Sequence, residues 1–290
     1  MDMLKSLINC DDLYALYHPE AVAYLFVVLV VFYVGKKVFD LLTPFQLNEQ
    51  LTSVDNKAVA VSFAGYMFGL GIILWGVLGG EAEHSFYGDL LDTVIWGAIG
   101  IVLLLAARVI NDKVLLHRFN NAKELVEDRN IGTGAVEAGA CIGAALIIKA
   151  IVGGESAGLA ADLLGTLIYF VCGQAAFILF GMLYQKVTRF DLHDEIERDN
   201  AAAGVAFGLT LAAIGLLLSG YLESHDSLIG LGAWFVLSAL LLVIFRYLVD
   251  KIILPGHLLD EEISRDRNWG AALVEGGMAV MVAFLINAAF

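Results

Sequence analysis

Two glutamates stand where a charge is most costly to place. Glu137 and Glu275 interrupt apolar runs, in Val136-Glu137-Ala138-Gly139 and Val274-Glu275-Gly276-Gly277, and each follows an asparagine, Asn130 or Asn268, by seven residues. At about 1.5 Å per helical residue, each sits on the order of 10 Å beyond the helix start. That depth is inside a bilayer if the runs span one, and an ionisable group there marks a functional position by default. Three kinds of chemistry fit. The acids could form a cation or proton site on a pathway through a bundle, where two of them brought together would titrate as a pair. They could instead each pair with a base, with Arg108 and Arg246 the obvious partners, and lock helices together. Or they could lie close to the headgroups, where they cost little.

The elements that carry them are membrane helices. Of the 290 residues, 59% are hydrophobic and 17% charged, with a mean hydropathy of +0.79. A soluble domain has about 45–50% apolar and about 25% charged residues. A secreted disulfide scaffold, a Rossmann enzyme and a disordered tail are excluded on that ground. The net charge of −14 also argues against nucleic acid, which calls for a concentrated basic surface. A span needs roughly 20 apolar residues, and such runs fall near 21–39, 58–79, 89–110, 131–152, 159–184, 201–222, 228–249 and 269–289. Leu25-Phe26-Val27-Val28-Leu29-Val30-Val31-Phe32 is apolar on every side, which fits a helix and not the alternating strand of a barrel. Asp2, Asp11 and Asp12 dilute any signal-peptide n-region, so the first span is expected to be retained.

Four copies of one pattern organise the chain. Asn56, Asn130, Asn200 and Asn268 recur at intervals of 74, 70 and 68 residues, each after Asp or Arg and each opening an even-numbered span. Asn accepts hydrogen bonds from the first free N–H groups of a helix, so these four are expected to be N-caps. Four residues on stand Ala60, Gly134, Gly204 and Ala272, and eight on Ala64, Ala138, Gly208 and Gly276. Small residues four apart let membrane helices approach closely, so the even helices are expected to be inner and the Leu-, Val- and Phe-rich odd ones outer. Arg108-Val109-Ile110-Asn111-Asp112-Lys113 matches Arg246-Tyr247-Leu248-Val249-Asp250-Lys251 at Arg, Asp and Lys. The larger repeat is therefore two units. The expected fold is an all-α integral membrane protein with eight transmembrane helices, built as four two-helix repeats in two parallel four-helix halves, 1–154 and 155–290. Were the units to surround a common axis, Glu137 and Glu275 would face each other across it, because Phe63 and Phe207 hold that position in the first and third.

The register of acidic residue, Asn, then small residues, as in Glu195-Ile196-Glu197-Arg198-Asp199-Asn200-Ala201-Ala202-Ala203-Gly204-Val205-Ala206-Phe207-Gly208, resembles the YjfL-like family of bacterial inner-membrane proteins, the domain of unknown function 350. The resemblance covers essentially the whole chain as two tandem copies. It implies a bacterial inner-membrane location and a family without an established activity. Gln50 and Leu51 replace Glu195 and Ile196 in the first unit.

Fifteen of the seventeen basic residues fall in the loops after odd helices, leaving Lys5 and Lys149 on the other side. By the positive-inside rule those loops are expected in the cytoplasm and both termini outside, with the acidic turns containing Glu81, Glu83 and His84, and Glu223, His225 and Asp226. Lys149 reads as a snorkelling side chain, and Asp92 and Asp162 as outer caps. Cys10, Cys141 and Cys172 form no CxxC pair, so neither a zinc site nor a disulfide framework is supported. His117, His193 and His257 come without any catalytic motif. No metal, cofactor or enzymatic activity is expected. The partners open are the lipid bilayer, a cation, and a cytoplasmic protein docked on the four inner loops. The oligomeric state is open.

Overall fold

The computed structural model describes residues 19–80 and 85–290. Lys5, Cys10 and the turn of Glu81, Glu83 and His84 lie outside them. Among the described residues there is no strand, and eight helices are long and apolar enough to cross a membrane. In chain order the helices are α1 (Pro19–Leu42), α2 (Leu47–Thr52), α3 (Lys57–Gly79), α4 (Phe86–Ile110), α5 (Asn121–Val126), α6 (Ile131–Val152), α7 (Leu159–Val187), α8 (Leu192–Glu197), α9 (Ala201–Leu222), α10 (Leu228–Leu248), α11 (Leu259–Ser264) and α12 (Trp269–Ala289).

The long helices match the apolar runs closely, and the departures have local causes. After α4 and α10 the chain continues through one widened turn each, Asn111–Leu115 and Val249–Ile253. There Leu116 N–H donates to the Asn111 carbonyl at 2.8 Å and Leu254 N–H to the Val249 carbonyl at 3.0 Å, the five-residue spacing of a π-helix. The four short helices α2, α5, α8 and α11 precede the capping asparagines. Their apolar residues, such as Leu47, Leu125, Ile196 and Ile263, are buried, which ties them to the ends of the long helices.

The helices α3, α6, α9 and α12 form a row in which each packs on the next, while α1, α4, α7 and α10 make a second layer. Each of α4, α7 and α10 lies against two neighbouring members of the row. Small residues make the row possible. On α6, Gly134 and Ala138 meet Ala58 and Gly65 of α3, whereas Gly132 and Gly139 meet Gly204 and Gly208 of α9. A Cβ on Gly139 would overlap the backbone of Gly208, so these helices touch main chain to main chain.

The row does not close on itself, because α3 and α12 do not pack on each other, which corrects the common-axis arrangement. Helices α3 and α12 stand at opposite ends, and Glu137 and Glu275 do not face each other. The division into inner and outer helices also needs amending. Helix α12 is of the small-residue kind, yet it ends the row, and Trp269, Leu273, Met281, Phe284 and Leu285 are exposed.

Candidate functional site

Each helix of the row begins at its asparagine, and the side-chain oxygen accepts from the helix's first N–H groups. Asn56 takes Ala58 and Val59 at 3.0 and 3.2 Å, Asn130 takes Thr133 at 3.2 Å, Asn200 takes Ala203 at 3.3 Å and Asn268 takes Ala271 at 3.2 Å. The residue before each, Asp55, Arg129, Asp199 or Arg267, has φ between 49° and 60°. This left-handed step, uncommon outside glycine, turns the chain from the short helix into the long one.

The amide nitrogen of each asparagine has a second use that the capping pattern did not reveal. It donates to Gln50 Oε1 (2.8 Å), Glu124 Oε2 (2.9 Å), Glu195 Oε2 (2.8 Å) and Glu262 Oε2 (2.7 Å), respectively. Gln50 thus keeps the bond without the charge. Three asparagines also reach a carbonyl of the next short helix, Asn56 to Leu125 at 2.8 Å, Asn130 to Ile196, and Asn200 to Ile263 at 2.7 Å. These three are at most 2% exposed, whereas Asn268 is exposed. Burial raises the carboxyl of Glu124 above its ordinary range, against the opposing pull of the Asn130 hydrogen bond.

The two intramembrane acids occupy related but not identical sites. Glu137, 2% exposed, accepts from Arg108 Nε at 3.0 Å and from Ser62 Oγ at 2.5 Å. The guanidinium of Arg108 lies 4.4 Å from the ring centre of Phe39. Glu275, 4% exposed, accepts from Arg246 Nε and from Tyr184 Oη, both at 2.8 Å. Arg246 also donates to Asp260 at 2.8 Å and lies 5.8 Å from the Tyr184 ring centre. Each acid therefore has one arginine from the preceding long helix and one hydroxyl. The hydroxyl comes from a different element each time. Ala206 stands where Ser62 would be, six residues after the asparagine, and Phe39 stands over the arginine where Tyr184 does.

Ser62, Tyr184 and Asp260 were not foreseen. The signal in the sequence was this exchange of Ser62 with Phe39 for Ala206 with Tyr184. A cavity of about 20 Å³ beside Glu275, bordered by Thr210, Arg246 and Leu242, has room for one water-sized molecule, and Glu275 Oε2 has no partner among the described residues. Asn111 and Asn121 are buried, and among the described residues their amide groups have no partner. Val249 and Leu259, 138 residues further on, fill those positions with an apolar cluster.

At the short-helix end, ion pairs join successive segments. Arg118 meets Asp191 at 2.7 Å, and Arg189 approaches Asp260 at 3.9 Å. Burial raises Asp191, but the bonds from Arg118 and from the Asp194 and His193 N–H groups outweigh it and hold the carboxyl low. Burial keeps His193 below its ordinary value. Its Nε2 lies 2.8 Å from the Leu115 carbonyl and its ring 5.3 Å from that of His117. His257 lies 2.9 Å from Glu262.

At the other end, Lys149 pairs with Glu223 at 2.5 Å and lies over the Trp75 ring. Asp162 accepts from Ala157 N–H and Ser156 Oγ at 3.0 and 2.6 Å. A cavity of about 580 Å³ opens there, bordered by Tyr24, Asp89, Asp92, Trp96 and Asp162. Among the described residues no three His, Cys, Asp or Glu side chains gather as a metal site would need.

A double layer of apolar helices, with paired charges sealed between them and loops gathered at two ends, defines a multi-pass α-helical membrane protein. The family model of the domain of unknown function DUF350 matches residues 8–152 and 158–290, and the chain belongs to that family. It is similar to a UPF0719 transmembrane protein of Aquifex aeolicus (strain VF5), 23% identical over 259 residues, 87% of this chain and 93% of the relative. It is also similar to the UPF0719 transmembrane protein YshE of Bacillus subtilis (strain 168), 24% identical over 120 residues, 41% of this chain and 88% of the relative. No solved structure matches.

Proposed function

We propose that the protein is a non-transporting scaffold of the bacterial inner membrane, four two-helix repeats in two parallel halves, that docks a cytoplasmic protein on its row of short helices. The observation that carries this reading is the state of the two acids. Each is neutralised by an arginine and a hydroxyl, within helices that meet backbone to backbone. Along α6, Glu137 is about 20 Å from Ile151 at the large acidic cavity. Main-chain contacts such as Gly139 with Gly208 and Gly215 with Gly143 fill that interval. Asparagine bonds and ion pairs link the four short helices into one platform, and outward-facing Lys123, Glu127, Arg198 and Glu261 give it the mixed charge of a protein-binding surface. Fifteen of seventeen Lys and Arg lie at that end, which supports a cytoplasmic position for it and an external one for both termini.

A cation pathway is the second reading. The cavity with Asp89, Asp92 and Asp162 favours it, as does the unpartnered Glu275 Oε2. Proteoliposome flux measured across a panel of monovalent and divalent cations and protons separates the two. The scaffold reading expects no flux above empty vesicles, and a soluble protein that co-purifies and is lost on reversing the charges of Lys123 and Arg198. Flux abolished by Glu137→Gln with Glu275→Gln, in a protein that still folds, would overturn it.

A further inference from the structure

The joint between neighbouring row helices uses corresponding positions three times, and both of its halves are left over at the ends of the row. At the first two joints the small residues two and nine positions after one asparagine receive those four and eight positions after the next. Ala58 and Gly65 take Gly134 and Ala138, and Gly132 and Gly139 take Gly204 and Gly208. At the third joint Leu209, nine positions after Asn200, meets Gly276, eight after Asn268. Each joint is closed by the asparagine amide reaching the carbonyl of Leu125, Ile196 or Ile263.

On α12 the receiving positions are Gly270 and Gly277. Among the described residues nothing lies within 4 Å of where a Cβ of Gly277 would be, and only the chain's own Asn268 side chain is near Gly270. Asn268 is exposed, and among the described residues its amide reaches no carbonyl of a following segment. Lipid contact has no use for glycine at these two positions, whereas close helix approach is eased by it. On α3 the inserting positions are Ala60 and Ala64, the latter exposed. The carbonyl corresponding to Leu125, Ile196 and Ile263 is that of Leu51, which no described asparagine reaches.

We propose that copies of this chain associate head to tail, the free face of α12 receiving α3 of a second copy through the joint that already links α3, α6, α9 and α12. Asn268 of one copy then donates to Leu51 of the next, and Gly277 meets Ala64. Such a contact uses two different surfaces, so it builds rings or rows and does not stop at pairs. The Bacillus subtilis relative supports the idea. Its matched 120 residues make up 88% of its length, close to one of the two family segments here, so a joint of the α6–α9 kind, if that protein forms one, is there a joint between chains.

The test is disulfide crosslinking in native membranes, using full-length protein with Cys10, Cys141 and Cys172 replaced by alanine. Ala64→Cys together with Gly277→Cys is expected to give a ladder of dimers, trimers and larger species on oxidation, and each single variant none. Absence of a ladder overturns the proposal. So does a dimer from either single variant, which would mean like faces meeting. A second measurement guards against misfolding of the crosslinking variants, namely the mass of the otherwise unmodified protein in lipid nanodiscs. The parent is expected to be multimeric. Gly277→Trp, whose Cβ meets no described atom within 4 Å in one chain, is expected to weaken association at least tenfold with an unchanged unfolding transition. A monomeric parent, or a multimer indifferent to this substitution, refutes the proposal.

Discussion

The exchange of hydroxyl donors between the two buried acids allows a rescue experiment. Ser62→Ala removes the 2.5 Å donor to Glu137 and leaves that carboxylate with Arg108 as its hydrogen-bonding side chain. A hydrogen bond to a charged group contributes about 1.5–3 kcal/mol in soluble proteins. Inside membranes the average measured coupling is about 0.6 kcal/mol and the largest about 1.7, because the unfolded chain in lipid also finds partners. A short bond to a carboxylate that is 2% exposed belongs near the top of that range, so the expected loss is about 1.5 kcal/mol. No cavity larger than an oxygen is created, so packing adds little. Phe39→Tyr then places a hydroxyl where Tyr184 carries one in the related site, and it is expected to restore at least half of the loss. Equilibrium unfolding by SDS in mixed micelles, followed by tryptophan fluorescence and circular dichroism, gives the free energies. The reasoning is refuted if Ser62→Ala is neutral. It is also refuted if Phe39→Tyr is harmless in the parent yet restores nothing in the variant.

Three further outcomes are expected. Arg108→Met leaves Glu137 buried without its counter-charge and should cost about 3–5 kcal/mol, whereas Arg108→Met with Glu137→Leu should lie within about 1.5 kcal/mol of the parent; an additive double variant in the same unfolding assay would contradict this. The raised carboxyl of Glu124 means that the folded protein holds a proton the unfolded chain has released. Stability should therefore fall as pH rises from the unfolded value of about 4.3 through the raised folded one and level off above it. Glu124→Gln, which copies Gln50, should flatten that slope, and an unchanged profile by thermal unfolding at several pH values would refute the assignment. Asn111→Val with Asn121→Leu copies Val249 and Leu259 and removes buried amides without partners, so the double variant should be more stable by about 1–3 kcal/mol, read as a higher unfolding temperature.

Much of this architecture is legible in the residues. The eight spans follow from apolar length alone, and the asparagine register locates the start of every row helix, because capping is a local interaction between neighbours in sequence. The arginine partners of the acids lie 29 residues away on another helix and are readable instead through the repeat, by the match of Arg108-Val109-Ile110-Asn111-Asp112-Lys113 with Arg246-Tyr247-Leu248-Val249-Asp250-Lys251. What escapes is whatever depends on the direction in which repeats are added. Periodicity says that Gly134 and Gly204 play one part, yet the angle between a helix's two contact faces decides between a row and a ring. Ser62 and Tyr184 escape as well, since one function is carried by two residue types on different helices, and no single offset reveals it. The short helices α2, α5, α8 and α11 have six residues each, too few for a periodic signal. Their mixed charges read as solvated loop.

The linker between the halves, Gly153 to Gly158, contains none of the asparagine bonds that tie one segment to the next. What holds α6 to α9 is noncovalent: the glycine contacts along the helices, the pair of Lys149 with Glu223 at one end and the bond from Asn130 to Ile196 at the other. The peptide bond that makes one polypeptide of the two halves is thus mechanically idle once the chain has folded. Two separately translated pieces, divided at Gly154, should find each other in the membrane and co-purify as one body. Covalent continuity here secures equal numbers and proximity during synthesis, and the shape is secured without it.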